Sequence, residues 1–414
     1  MSKIFPSRRR FMANSLALGC SLAASPLVTP VTMASAPWDN RLVVIILRGG
    51  LDGLDAVRPY NAPEFGDLRS GLLAGQEEPG VLDLDGFFAL HPALSDLMPL
   101  WRAGELSFAH AVSTPYRDKR SHFDGQDILE AGTGESGFVP SRDGWLNRLL
   151  SGGPGATAET AFAIGRQSML ITKGPAEVSD WSPDASLLLS PQAERLLDVV
   201  MHDDPLFRDA LSEAIGLSQE DVAAQFGDEE VDAADMVNAM RPTAKPASRK
   251  EAIQKVAEFA AARLREDTRI AAYSMIGYDT HNQQPRLINN ALQPLARNIL
   301  TLKKELGPVW EKTTVLAMTE FGRTVRVNGT LGTDHGTGGL LIMAGGALRG
   351  GRVVTEWPGL RESALYQRRD LMPTRDVRAH AGWVMRGLFG LDRKVIEDTV
   401  FPGLDLGRDP KLLL

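Results

Sequence analysis

Cysteine is almost missing from this 414-residue chain: the one residue, Cys20, lies within the first 36. A chain cleaved after Ala36 has no thiol, which excludes disulfides and any cysteine-ligated metal. Also missing is the Gly-x-Gly-x-x-Gly dinucleotide fingerprint, since the run Gly49-Gly50-Leu51 after the first apolar segment lacks its spacing. No apolar run is long enough to span a bilayer, because Pro26 and Pro30 interrupt the N-terminal one. There is no internal repeat and no coiled coil. Positive charge is in deficit, with 45 Lys plus Arg against 52 Asp plus Glu. That balance argues against nonspecific nucleic-acid binding.

The first 36 residues hold Lys3, Arg8, Arg9 and Arg10 and no acid, and Ala34-Ser35-Ala36 offers a signal-peptidase site. Ser7 to Met12 resembles the twin-arginine export signal, which implies a periplasmic or secreted protein and the export machinery as a partner. Ala17-Leu18-Gly19-Cys20 is a weaker lipoprotein pattern. Losing the four leader cations moves the formal charge from −7 to −11. An anionic substrate then needs a local positive centre, and a bound divalent metal supplies one.

Beyond the leader, residues 37–414 read as one domain in which apolar runs of strand length alternate with helical patterns. The runs are Leu42–Leu47, Leu106–Val112, Ala161–Ile164, Ile270–Ile276, Thr313–Met318 and Leu340–Ala344. The helical stretches are Ser121–Ala131, Arg249–Arg265, Arg286–Leu306 and Thr374–Leu388. This alternation predicts an α/β fold: a doubly wound, mostly parallel sheet with helices on both faces. Residues of about 165–248, rich in Ser, Asp, Ala and Pro, read as a helical insertion, structural in role or gating the site.

Four constellations carry chemistry. Asp52 and Asp55 follow the first strand, as ligands or as helix-capping acids. Ser121 precedes a helical run, with Arg117, Lys119 and Arg120 upstream and His122 beside it. Its hydroxyl caps the helix, and it is also where a nucleophile meets an anion. His122 is a ligand, a base or a packed residue. Asp279 and His281, two apart after a strand, offer an oxygen and a nitrogen to a cation, or simply hydrogen-bond each other. Glu320, Asp334 and His335 lie between the last two long apolar runs, with Glu320 alternatively paired to Arg323. His91, His110, His202 and His380 suggest packing or surface positions, and His110, inside an apolar strand, reads as a satisfied core residue.

Taken with the leader, the segments Arg48 to Tyr60, Arg120 to Phe123, Gly277 to Gln283 and Thr319 to Gly336 resemble the bacterial domain-of-unknown-function family 1501. That family is similar to the alkaline phosphatase and sulfatase superfamily, which implies a doubly wound fold with a metal centre. The resemblance implies metal roles for Asp52, Asp279, His281, Glu320 and His335, and Asp334 is a further candidate ligand beside them. The resemblance implies a nucleophile's role for Ser121; Arg120, placed to clamp substrate oxygens, and His122 complete the catalytic candidates, with zinc, manganese or magnesium as cofactor. Phe321 stands where the superfamily has a second histidine, and the Asp279 to His281 spacing is shorter than usual. The activity expected is hydrolysis of a small anionic phosphate or sulfate ester. The alternative is a non-catalytic exported binding or accessory protein that keeps the fold. A partner from a neighbouring exported family is a further expectation from the resemblance, with no nucleic-acid partner and no stable membrane span after cleavage.

Overall fold

The computed structural model describes residues 38–73, 81–134, 143–152, 160–164, 169–181 and 249–414. The leader and most of the expected insertion lie outside them. Strand β1 (Arg41–Arg48) is followed by a small ribbon of β2 (Val57–Arg58) and β3 (Ala89–Leu90). Then come β4 (Leu106–Ser113), β5 (Ala161–Ile164), β6 (Ser179–Trp181) and β7 (Ile270–Ile276). The chain continues through β8 (Thr313–Met318), β9 (Gly339–Ala344), β10 (Arg352–Val354) and β11 (Arg375–Asp376). The main sheet runs β10-β4-β9-β8-β1-β7-β5-β6, with β11 on β4. Strand β6 and the 3-10 turn Leu170–Thr172 come from residues 169–181, and of this described part of the expected insertion β6 joins the sheet.

β1 shows why the sheet is covered on both faces. Val43, Ile45 and Leu47 enter one core with helices Arg249–Arg265 and Gln284–Leu306. Leu42, Val44 and Ile46 enter the other with helices Trp145–Gly152 and Val377–Phe389. All six are fully buried, which a period-two backbone achieves only between two helical layers. Burying each such side chain contributes about 1.5–3 kcal/mol.

In the main sheet the pairings are parallel except those of β9, which runs antiparallel between β4 and β8. The link from β8 to β9 contains no helix, and without a crossover the chain returns antiparallel. The consequence is functional. The end of β8 and the start of β9 share one edge of the sheet with the carboxyl ends of β1, β4 and β7. Register fixes this edge: Ile46 is level with Met318, and Arg48 with Ile276.

Three histidines belong to the core. Burial pushes His91 and His110 down to about 4 and His380 to about 3. His110 Nε2 lies 3.0 Å from the Val57 carbonyl and 3.2 Å from that of Gly53, and its Nδ1 accepts from Ala111 N–H. The unfolded chain binds these protons near pH 6.5 and the folded chain does not. Their contribution to stability is therefore complete above about pH 6.5 and falls toward pH 4, by about 1.4 kcal/mol per pH unit for each histidine. Urea unfolding at pH 7.0 and 5.5 should show this drop, and a His380→Leu variant should show a smaller one; equal midpoints at both pH values would contradict it.

Candidate metal centre

Three loops and one helix start bring the site together. Helix His122–Ala131 begins where Ser121 Oγ accepts the Asp124 N–H at 3.4 Å, and it ends at Gly132 in the left-handed region. The loop after β7 carries Asp279 and His281, and the β8–β9 link carries Glu320, Asp334 and His335. Close approach demands glycine at Gly49 (φ +119), where an added Cβ would sit 2.5 Å from the Asp279 amide nitrogen.

Four side chains converge. Donor atoms of His122, Asp279, His281 and His335 all lie within 4.8 Å of one another. His281 Nε2 is 2.9 Å from His335 Nε2 and 3.1 Å from Asp279 Oδ1. His335 Nε2 is 3.6 Å from Asp279 Oδ1, and His122 Nε2 is 3.4 Å from Asp279 Oδ2. A tetrahedral ion with bonds of about 2.0–2.2 Å sets its donors roughly 3.3–3.6 Å apart. The separations of 3.4 and 3.6 Å fall in that range, and those of 2.9 and 3.1 Å fall just below it.

The opposite nitrogens decide the reading. His122 Nδ1 lies 2.8 Å from Glu320 Oε1, His281 Nδ1 3.1 Å from Asp334 Oδ1, and His335 Nδ1 2.8 Å from the Arg120 carbonyl. With each Nδ1 turned to an oxygen acceptor, each Nε2 faces inward, which is how metal-bound imidazoles are oriented. His122 Nε2 is buried and makes no hydrogen bond of its own. Three nitrogens and a carboxylate oxygen suit a borderline ion such as zinc better than magnesium, which prefers oxygen and water.

Electrostatics point the same way. The carboxylates of Asp279 and Glu320 push the His122 imidazole up to about 9, and the field that favours a proton there favours any cation. Burial alone would raise the Asp279 carboxyl, but His122, His335 and the Arg323 guanidinium more than offset it and hold the group well below the usual carboxylate range. Arg323, fully buried, donates to Asp279 Oδ1 at 2.5 Å, to the Gly50 carbonyl at 2.7 Å, to the Thr333 carbonyl at 3.0 Å and to the Gly49 carbonyl. One guanidinium thus ties together the loops after β1 and β7 and the β8–β9 link. Phe321 lies against the His122 and His335 rings, with centroids 5.1 and 5.0 Å away.

Three expected ligands stand elsewhere. Asp52 lies outside the cluster because a buried guanidinium claims it: Arg69 Nη1 is 2.6 Å from Oδ2 and Nη2 is 3.2 Å from Oδ1. Gln284 Nε2 donates to Asp52 Oδ2 at 2.7 Å and to Asp55 Oδ2 at 2.9 Å, while Gln284 Oε1 accepts from Thr280 and Thr333. Glu320 is fully buried, and its oxygens are occupied by Gly49 N–H at 2.9 Å, His122, Gln126 at 3.1 Å and Thr319 at 3.0 Å. Neither does it pair with Arg323, which turns to Asp279. Asp334 accepts from His281 and from Asn328 at 3.1 Å, so it orients a histidine. His122, expected in a catalytic role, joins the convergent group. Ser121 and Arg120 sit at the rim, Ser121 half-buried and Arg120 exposed. Arg69, Gln284 and Gln126 had no local motif to announce them.

Among known proteins, the family described as "Protein of unknown function (DUF1501)" matches residues 39–398. No curated protein matches the chain. Of solved structures, a protein in the alkaline phosphatase superfamily from Vibrio parahaemolyticus is similar at 12% identity and a TM-score of 0.39, covering 96% of this chain and 78% of that one. The lipoteichoic acid synthase LtaP from Listeria monocytogenes is similar at 10% identity and 0.40, covering 94% and 81%. The C-terminal periplasmic domain of EptC from Escherichia coli, solved in complex with Zn, is similar at 9% and 0.36, covering 92% and 96%. Likenesses this distant assign no chemistry to this chain.

Removing one partner of the Asp52–Arg69 pair strands a buried charge, which costs about 3–5 kcal/mol. An Arg69→Ala variant should lose that much by urea unfolding, whereas Asp334→Asn, half-exposed, should stay within about 1 kcal/mol of the parent. Equal losses in the two variants would contradict the division between supporting network and site rim.

Proposed function

For a chain that belongs to the DUF1501 family, we propose an exported, metal-dependent hydrolase of phosphate or sulfate esters. The observation that carries this reading is the convergence of three Nε2 atoms and one Asp279 oxygen while every Nδ1 is tied to an oxygen. His122, Asp279, His281 and His335 would hold one divalent ion, with zinc favoured by the donor set. Such an ion supplies Lewis-acid polarisation of an ester oxygen and favours ionisation of a nearby hydroxyl.

The chain's own residues do the rest. Ser121, adjacent to His122 and at the start of a ten-residue helix, presents its hydroxyl where free amides and the helix dipole favour an anionic group. The exposed Arg120 guanidinium stands ready to bind substrate oxygens at the mouth, while its backbone carbonyl fixes the His335 tautomer. Glu320 holds His122, Asp334 holds His281, and Arg323 keeps Asp279 ionised. A net-negative chain gains here a local centre able to take an anion. The leader supports export to the periplasm or beyond, and no helix among the described residues is long and apolar enough to cross a membrane.

One observation favours the non-catalytic alternative. Ser121 Oγ serves as a helix cap, and no general base touches it among the described residues. Activity therefore rests on whether the hydroxyl leaves that cap when a substrate and an ion are present.

Elemental analysis of the purified protein should find close to one zinc-like ion per chain, falling below about a tenth in a His281→Ala, His335→Ala double variant. Hydrolysis of 4-nitrophenyl phosphate or sulfate should fall roughly 10³-fold or more in Ser121→Ala, with metal content unchanged. Full metal content without any ester hydrolysis would favour the binding protein. A metal-free protein that chelator leaves unaltered would remove the metal centre altogether.

A further inference from the structure

The stretch between β4 and helix His122–Ala131 holds a backbone feature that ligand placement alone does not explain. Two of its non-glycine residues sit in the left-handed region, Asp118 at φ +66 and Arg120 at φ +55. An aspartate visits that region readily, because its short polar side chain bonds locally, whereas an arginine has no such means. The Asp118 carboxylate is also held, by Tyr366 Oη at 3.0 Å and Gln367 Nε2 at 2.7 Å. Arg120 is exposed. What keeps its backbone in place is found in the peptide that follows it.

The Arg120–Ser121 peptide is gripped at both ends. Its carbonyl accepts from His335 Nδ1 at 2.8 Å, and its N–H donates to Tyr116 Oη at 2.6 Å. In a trans peptide these two groups point in opposite directions, so the two bonds together fix the rotation of the plane. Ser121 Cα lies in that plane, and the direction of its hydroxyl follows from it. Tyr116 is itself firmly placed. It is buried, its backbone N–H donates to Thr114 Oγ1 at 3.3 Å, and its ring stacks on Phe321 with centroids 6.0 Å apart. Phe321 is the ring against which His122 and His335 also pack. Gly50 leaves it room, since an added Cβ there would lie 2.7 Å from the ring. Tyr116, Phe321, two imidazoles and the peptide before the serine thus form one packed unit.

We propose that Tyr116 is a positioning residue: with His335 it clamps the Arg120–Ser121 peptide, so that the inward-facing imidazole and the Ser121 hydroxyl are held as one piece. The inference rests on the reading of Ser121 as a nucleophile beside a bound ion. It adds the route by which occupancy of the centre reaches that serine. With a cation on Nε2, the His335 Nδ1–H becomes a stronger donor, and its bond to the Arg120 carbonyl tightens the plane. The left-handed backbone of Arg120 is the strain this clamp holds at the site.

Tyr116→Phe keeps the ring and its stack and removes only the acceptor, so fold and zinc content should be kept. In hydrolysis of 4-nitrophenyl phosphate or sulfate by the zinc-loaded chain, kcat should fall about tenfold or more with KM nearly unchanged. A residue that only supported the fold would not split the two constants in this way. A second readout needs no turnover. Hydrogen exchange of the Ser121 amide, followed by magnetic resonance with isotope-labelled serine and assigned by its loss in Ser121→Ala, should be about tenfold or more faster in Tyr116→Phe than in the parent. Zinc should slow it in the parent and not in the variant. Equal exchange in parent and variant, or no effect of zinc on the parent, would overturn the clamp. Faster exchange with kcat unchanged would overturn the positioning role. If the parent hydrolyses neither ester, the proposed function fails, and the clamp stands or falls on the exchange rates alone.

Discussion

The candidate site rests on one constraint: three imidazoles are each held by their Nδ1 so that their Nε2 atoms face a common point. A free histidine is indifferent between tautomers and turns about two bonds. Here a buried Glu320, a rim carboxylate and a backbone carbonyl each remove that freedom. The cost of ordering these side chains is met in folding, before any cation arrives, so the donor set is preorganised. Asp279 completes it, kept ionised by a guanidinium that is itself locked to three loops.

Behind this layer is a second, fully buried polar network of Asp52, Asp55, Arg58, Arg69, Gln284 and Thr333. Buried ion pairs add little net stability compared with apolar packing, because desolvation offsets most of the Coulomb gain. What they supply here is position. Gln284 bridges the loop after β1 to Thr280 and Thr333, the residues directly before His281 and Asp334. The acids after the first strand thus act at one remove, through the loops that carry the ligands, and leave the convergent group to Asp279.

Much of the fold was legible because its signals are local. The six apolar runs became β1, β4, β5, β7, β8 and β9 almost to the residue, and Ser121 with Gly132 bounded their helix as capping chemistry requires. That Asp279, His281 and His335 would come together was legible too, since each follows or precedes a buried strand at one edge of a largely parallel sheet. The division between ligand and orienting group was not. Whether Glu320 grips an ion or a histidine depends on where the register of β1 and β8 places Gly49 and on the approach of His122 from a distant helix. Asp52 was misread because its partner, Arg69, sits in helix Phe65–Leu73, where nothing in spacing or composition marks it. The antiparallel direction of β9 likewise follows from a helix-free link, a property of the whole connection and not of the apolar run.

The most direct measurement is X-ray absorption fine structure on the protein loaded with one equivalent of zinc. The convergent geometry expects a four-coordinate first shell at about 2.0–2.1 Å dominated by imidazole nitrogen, with multiple-scattering features of about three rings. A six-coordinate, all-oxygen shell without imidazole scattering would contradict it.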